Sequence, residues 1–358
     1  MSLKTFPIFR DAPPVVNVVQ GQNATLDLDD GWRYHCVRLI ATVTKDAALA
    51  TEPTLDEAIG TIVCNVNADP KRTHKASLLN AIQKGWSAQV AATLYSKTAN
   101  DLITATVDGA AGGHVQRTST WVLDVWFSEP TRDSYTARKA FAWPTSWANK
   151  AIGNFPANYT AHIQLAIGVP NDASLTNPAM RAEYMADAVQ GPLVDANLAA
   201  LLQNAGISAP AVGTPIMPVT HWYQFPEDYS SSALVIRKWP FAGGTIQEID
   251  LFCQAGDDVT AFTVLADNVI KRKTTKSSAH QLNEAWGWNT GYGAGMAGID
   301  YVFADKATIP FDFDDDPASA LSTADFSTLE LDITLNQAVA ANKSITFIAQ
   351  VYRNALLV

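Results

Sequence analysis

Cysteine is scarce in this chain: Cys36, Cys64 and Cys253 stand far apart and odd in number. That spacing excludes a zinc knuckle and a Cys-x-x-Cys redox pair, and it predicts small core residues of a protein matured in a reducing cytoplasm. Long apolar runs are lacking as well. No uncharged stretch reaches the roughly 20 residues of a membrane-spanning helix, and Met1 to Pro14, with Lys4 and Arg10, has no apolar signal-peptide core. The sequence therefore reads as soluble and without an export signal. Positive charge is also short, since 25 Lys and Arg against 35 Asp and Glu give a formal net charge of -10. Such a balance gives no attraction for a phosphate backbone, so no direct sequence-specific nucleic-acid binding is expected. The one basic stretch, Lys271, Arg272, Lys273 and Lys276, reads as a solvated loop.

Catalytic apparatus is missing too. The six histidines, His35, His74, His114, His162, His221 and His280, form no His-x-x-x-His pair, and no Ser or Cys sits in a nucleophile elbow. His162 and His221 lie in strand patterns, which suits structural roles. A Gly-x-Gly-x-x-Gly match at Gly293, Gly295 and Gly298 neither follows a strand nor opens a helix, as dinucleotide binding requires, and reads as a loop. Asp312, Asp314, Asp315 and Asp316 offer hard oxygen ligands, but they lack the Gly and terminal Glu of a calcium loop; with Pro317 following, they read as a solvated turn. The expected set of catalytic, cofactor and metal residues is therefore empty. Asn-x-Ser/Thr matches at Asn23, Asn158 and Asn342 are at chance level without a secretory context.

What is present is a chain of 358 residues, 47% hydrophobic and 17% charged, enough to bury about two cores at roughly 150 residues per domain. Period-two alternation dominates. Ala24 to Asp29 and Leu329 to Leu335 alternate apolar with polar, and strands are also expected at Tyr34 to Thr42, Trp121 to Phe127, Thr160 to Ile167, Val219 to Phe225, Ile246 to Cys253 and Ile345 to Tyr352. Helical periodicity is confined to Lys75 to Lys84, Ser277 to Trp286, and Pro192 to Asn204, which Gly206 stops. Ser208 to Pro215, small residues with two prolines, reads as an inter-domain linker.

An internal repeat sets the architecture. Ala24 to Gly31 lies beside Ala233 to Pro240 at an offset of 209, and His35 to Leu39 beside Gln247 to Leu251 at 212. Lys71-Arg72 matches Lys271-Arg272, and Leu79-Asn80 matches Leu282-Asn283 at 203. Ala161 to Ile167 matches Leu329 to Leu335 at 168, and Met180 to Tyr184 matches Phe347 to Val351. The falling offset places an insertion of 35 residues in the first half, around Ser87 to Ser119.

This layout resembles the double jelly-roll major capsid proteins of tailless icosahedral bacteriophages with an internal membrane, the tectivirus and corticovirus type. The segments that carry it are Ala24 to Leu39, Thr73 to Gly85, Ala233 to Cys253 and Phe326 to Tyr352; the N-terminal stretch, the insertion and the linker are not covered. The resemblance implies an all-β fold of two tandem eight-stranded antiparallel jelly rolls with short helices in loops: an N-terminal arm at 1–13, a first roll at 14–190, a linker with a short helix at 191–215 and a second roll at 216–358. It implies a structural coat protein that is not an enzyme, made in the host cytoplasm and residing in the virion. Three copies would form a pseudo-hexagonal capsomer through heterologous contacts. Further implied partners are neighbouring capsomers, minor capsid and vertex proteins, and an internal lipid membrane reached by the N-terminal arm.

The rival reading is a carbohydrate-binding or carbohydrate-cleaving β-sandwich. Its motive is the ten tryptophans, of which Trp143, Trp147, Trp222, Trp286 and Trp288 lie near loops and would suit sugar stacking or, equally, subunit contacts. A receptor-binding spike of similar composition has less need of two collinear halves.

Overall fold

The computed structural model describes residues 8–47, 52–86, 93–104, 113–128, 142–148, 158–159, 161–188, 218–241, 243–253, 258–285, 306–311, 320–336 and 343–354. The chain divides into two compact units: Met1–Asn80, Val90–Pro130 and Thr136–Pro192 form the first, and Ala81–Gln89, Thr131–Tyr135 and Leu193–Val358 the second.

The N-terminal part of the chain supplies β1 (Ile8–Asp11), β2 (Asn23–Asp27), β3 (Trp32–Ala47), a short helix α1 (Leu55–Ala58), β4 (Thr61–Val66), β5 (Asp69–Lys75), α2 (Ala76–Trp86), β6 (Thr93–Thr104), β7 (Gly113–Trp126), the two-residue strands β8 (Trp143–Pro144), β9 (Trp147–Ala148) and β10 (Asn158–Tyr159), then β11 (Ile163–Gly168) and β12 (Leu175–Ala188). One sheet runs β1-β12-β3-β7-β6 and the other β5-β4-β11-β2, every pairing antiparallel. Alternation explains the core: Val37, Leu39, Ala41 and Val43 point in from β3, Ile163, Leu165 and Ile167 from β11, and all are buried. Cys36 and Cys64 are buried with them and unbridged, the role their spacing predicts.

The second unit supplies β13 (Pro218–Tyr229), β14 (Ala233–Ile236), β15 (Thr245–Phe252), β16 (Asp258–Ala266), β17 (Val269–Thr275), α3 (Lys276–Ala285), β18 (Lys306–Pro310), β19 (Leu321–Ser322), β20 (Leu329–Asn336) and β21 (Lys343–Asn354). Its sheets run β18-β15-β21-β13 and β14-β20-β16-β17. Ile249, Leu251 and Phe347 from one sheet and Phe262, Val264 and Leu331 from the other share one buried cluster.

Lettering the eight strands of such a sandwich B to I, both units show sheets B-I-D-G and C-H-E-F with a helix between F and G. Each is a jelly roll, and the chain is an all-β double jelly roll with short helices. Extra strand β6 pairs outside position G of the first roll. Ile8–Asp11, assigned to the arm by sequence, is strand B of that roll; residues 1–7, the helix expected at 192–204 and the linker lie outside the described residues.

Irregularities fix the alignment of the halves. A bulge at His35 on β3, between the pairs Tyr34–Ala186 and Cys36–Met185, has its counterpart at Gln247 on β15, between Ile246–Val351 and Glu248–Gln350. The His35 carbonyl accepts the Phe127 N–H at 2.9 Å, and the Gln247 carbonyl accepts the Phe311 N–H at 2.8 Å. The offset of 212 expected for this strand therefore holds. A second bulge, between Cys64 and Asn65 on one side and between Val264 and Leu265 on the other, sets Arg72 against Arg272 at an offset of 200. The β4–β5 turn at Asn67-Ala68 and the β16–β17 turn at Asp267-Asn268 are all at positive φ.

Elsewhere the expected registers slip. Leu26 pairs with Leu165 as Ile236 pairs with Leu331, so strand C sits at 210, not 209. The one-residue error had set buried Leu26 against Val235, which is 43% exposed. The helices align at 200 rather than 203, because Leu79 and Ala279 are buried whereas Leu282 is 46% exposed. Strands H and I align at 166 and 165, two residues from the expected matches. The inserted residues of the first half accordingly split, sixteen before the end of β7 and eighteen between β7 and β11.

Candidate functional site

Among the described residues, no group of three or more His, Cys, Asp or Glu side chains is placed to hold a metal ion. Burial pushes the Cys64 thiol up to about 12 and raises Cys36 well above the usual range, so both are inert as nucleophiles at neutral pH. His35, on the bulge, lies 3.1 Å through Nε2 from the buried Asp187 carboxylate, which also accepts from Arg33 at 2.6 Å. This trio ties strand D to strand I. His74 is buried, and burial pulls it down to about 3, so it is neutral. His162 is exposed and lies 3.1 Å from Asp27. The side chains of His114, His221 and His280 lie outside the described residues.

Both faces of β15 are covered, and Glu248 and Asp250 on its polar side are buried. Gln350 donates to both, and Thr308 donates to Asp250 at 2.7 Å. Such a cluster fixes strands D, I and G together, since buried carboxylates need donors.

The basic stretch is also not a solvated loop. Lys271, Arg272 and Lys273 belong to β17, and Lys276 at the start of α3 is buried. Arg272 donates to the Pro310 carbonyl at 2.6 Å and lies over the Phe262 ring, 5.6 Å from its centroid. Arg72 does the same work in the first roll: it donates to the Trp126 carbonyl and lies 5.2 Å from the Trp143 ring. Each arginine thereby closes the end of strand G from strand F.

Trp143 and Trp222 are buried, Trp143 stacking on Phe127 at 4.5 Å, so neither offers a face to a sugar. The Trp147 side chain, Trp286, Trp288, the glycine-rich run at 293–298 and the acidic run at 312–316 lie outside the described residues.

What the chain does present is surface. The outer face of β12-β3-β7 carries the bidentate Arg38–Asp124 pair at 2.8 and 3.0 Å, the Arg181–Glu183 pair at 2.6 Å, and hydroxyl contacts Thr42–Thr120 and Thr44–Thr118, each at 2.9 Å. A groove of about 490 Å³ beside β17 is lined by Val269, Lys271, Phe311, Leu321, Asp267 and Asp325 among others, and its Asp267 carboxylate accepts the Ser327 and Thr328 N–H groups. Among the described residues, Phe9, Val269, Ile270 and Leu282 are large hydrophobic side chains left exposed. They sit on β1, β17 and α3; sequence reading placed Leu282 in a helix but put Phe9 in an N-terminal arm and did not extend a strand to Val269 and Ile270. The available signal was an apolar Val269-Ile270 pair directly after a two-residue turn.

No protein-family profile and no curated protein matches the chain. Solved structures do. The major capsid protein P2 from bacteriophage PM2 is 15% identical with a TM-score of 0.58, the match covering 98% of each chain. The STIV MCP is 12% identical at a TM-score of 0.56, covering 98% of this chain and 97% of that one. The PBCV-1 virus capsid is 9% identical at 0.54, covering 98% and 94%. At such identities the likeness establishes a shared fold.

Proposed function

We propose that this chain is the major capsid protein of an icosahedral virus, a structural coat protein that catalyses no reaction. The observation that carries the reading is the pairing of two complete B-I-D-G and C-H-E-F rolls in one chain, matched from end to end by coat proteins over 98% of both lengths in the PM2 case. The carbohydrate reading is weakened, because two of its five tryptophans, Trp143 and Trp222, are buried.

In this proposal three copies make a pseudo-hexagonal capsomer that tiles with its neighbours, and the shell belongs to a tailless bacteriophage with an internal membrane. The first roll runs to about residue 190, 191–215 links it to the second at 216–358, and residues 1–7, ahead of β1, reach minor proteins or lipid. Minor capsid and vertex proteins complete the shell, the chain is made in the host cytoplasm, and it resides in the virion. Light scattering of the purified chain should give a trimer or larger, and electron micrographs should show hexagonal outlines. A single-chain species at every concentration, or saturable glycan binding on an array, would overturn the proposal.

A further inference from the structure

Alternation places Glu330 and Asp332 side by side on the outward face of β20, since Leu329, Leu331 and Ile333 are buried on the other. Their surroundings differ. Glu330 accepts from the Arg237 Nε at 2.5 Å, a bond that ties the residue directly after β14 to β20. Asp332 stands opposite Val235 on β14 and Thr263 on β16, and its Oδ1 is shielded from water with no donor among the described residues. An anion so placed is costly, because a shielded carboxylate needs donors. A proton removes that cost. The acid then donates to the Glu330 carboxylate, with which Asp332 is in hydrogen-bond contact.

Neighbouring cations do not offset the second carboxylate. Among the described residues, the charged groups facing Asp332 are Glu330 on its own strand, Arg237 at the end of β14 and Lys273 on β17; β16 brings only Ala261, Thr263 and Leu265 to this face. Arg237 is committed to Glu330. Lys273 lies beyond Thr263, two strand spacings or about 10 Å away, where solvent screening leaves little attraction. Burial first, then the hydrogen bond and charge of Glu330, raise the Asp332 pKa, while the bond from Arg237 lowers that of Glu330. The first roll is built otherwise. At the places of Arg237, Glu330 and Asp332 it has Asp27, Gln164 and Ala166. A single carboxylate stands there, and the Gln164 amide donates to it at 2.7 Å.

We propose that Glu330 and Asp332 share one proton and that its loss as pH rises loosens β14, which makes this edge strand of the second roll a pH-sensitive latch. β14 is four residues long and ends its sheet, so a short ladder and the Arg237–Glu330 bond are what hold it. With both carboxylates charged, they repel on one face and compete for one guanidinium. The folded chain keeps the Asp332 proton at a pH where the unfolded chain has released it. This contribution to stability is therefore full at low pH and is lost as pH rises through the folded-state value, the reverse of an ordinary ion-paired carboxylate. The latch does not depend on the coat-protein reading.

The test compares the full-length chain with Asp332→Asn, whose amide can donate to Glu330 without carrying charge. The melting temperature of the variant minus that of the unmodified chain should be near zero at about pH 4 and positive by a few degrees at about pH 8. Groups elsewhere titrate alike in both chains and cancel in the difference. In a Glu330→Gln background the same rise should shrink to less than about half, because the neighbouring charge is gone and Arg237 is released. Amide exchange along β14, taken relative to the intrinsic rate at each pH, should quicken at least about threefold from pH 5 to 8 in the unmodified chain and stay level in Asp332→Asn. If Asp332→Asn misfolds, Asp332→Ser replaces it. A melting difference that does not change with pH, a variant less stable than the unmodified chain at high pH, or β14 exchange that ignores pH in the unmodified chain would each overturn the latch.

Discussion

His74 is sealed in the first roll, and burial holds its ring neutral by lowering its pKa from 6.5 to about 3. In the unfolded chain it titrates normally. Between these values the unfolded state binds the extra proton, so stability is fully present above about pH 6.5 and drains away as pH falls toward 3. At pH 4.5 the loss is of order 3 kcal/mol, taking about 1.4 kcal/mol per pH unit. The melting temperature should fall between pH 7 and 4.5, and His74→Leu should flatten that slope; an equally steep slope in the variant would sink the assignment. Arg72 makes a second residue-scale case. It is 3% exposed, and removing it strips the Trp126 carbonyl of its donor. Arg72→Met should cost about 2 to 3 kcal/mol by urea denaturation, as expected when a charged hydrogen bond to a buried group is lost. Arg272→Met should cost less, because Arg272 is only partly buried.

Elements are held by backbone details that side-chain patterning reaches unevenly. Gly60 donates its N–H to the Gly168 carbonyl at 2.9 Å, and a Cβ at Gly60 would lie 2.7 Å from that same oxygen. Neither atom is on a flexible side chain, so Gly60→Ala must push β11 away from the start of β4. A drop of several degrees in melting temperature is expected; a neutral result would mean the approach is looser than the geometry indicates. Asn67, at φ 52°, accepts the His162 N–H at 2.8 Å, while Asp267 at φ 47° accepts the Thr328 N–H at 2.8 Å. One turn residue thus anchors the start of strand H in both rolls. Asn67→Gly loses only the side-chain bond, whereas Asn67→Val also forces a β-branched residue into the left-handed region, so valine should be clearly the more destabilising on a thermal melt. These details show what the sequence made legible. Strand D could be aligned correctly because Val37 and Leu39 repeat as Ile249 and Leu251 on one buried face. Strand C could not: Ala233-Leu-Val-Ile236 is apolar on both faces, so composition cannot choose between registers one residue apart. The helices slipped for a related reason, as Leu282 copies Leu79 in type but occupies the place of Ile82. β1 was hidden because four residues are too few to show a period.

At the scale of the whole molecule the chain meets nucleic acid with a net charge of -10. The basic stretch leaves few cations for phosphate: Arg272 is spent on Pro310 and Lys276 is buried, so only Lys271 and Lys273 stand exposed on β17. Phosphate contacts draw their affinity from released counterions, so a protein that neutralises few phosphates binds weakly and with a shallow salt dependence. No retardation of duplex DNA is expected at about 0.15 M salt, where charges are screened beyond roughly 8 Å. Lowering the salt should expose at most a weak interaction, and Lys271→Glu with Lys273→Glu should weaken it further. Tight binding by the assembly, with a slope of log affinity on log salt steeper than about -4, would mean a surface with several phosphate contacts lies elsewhere on the chain.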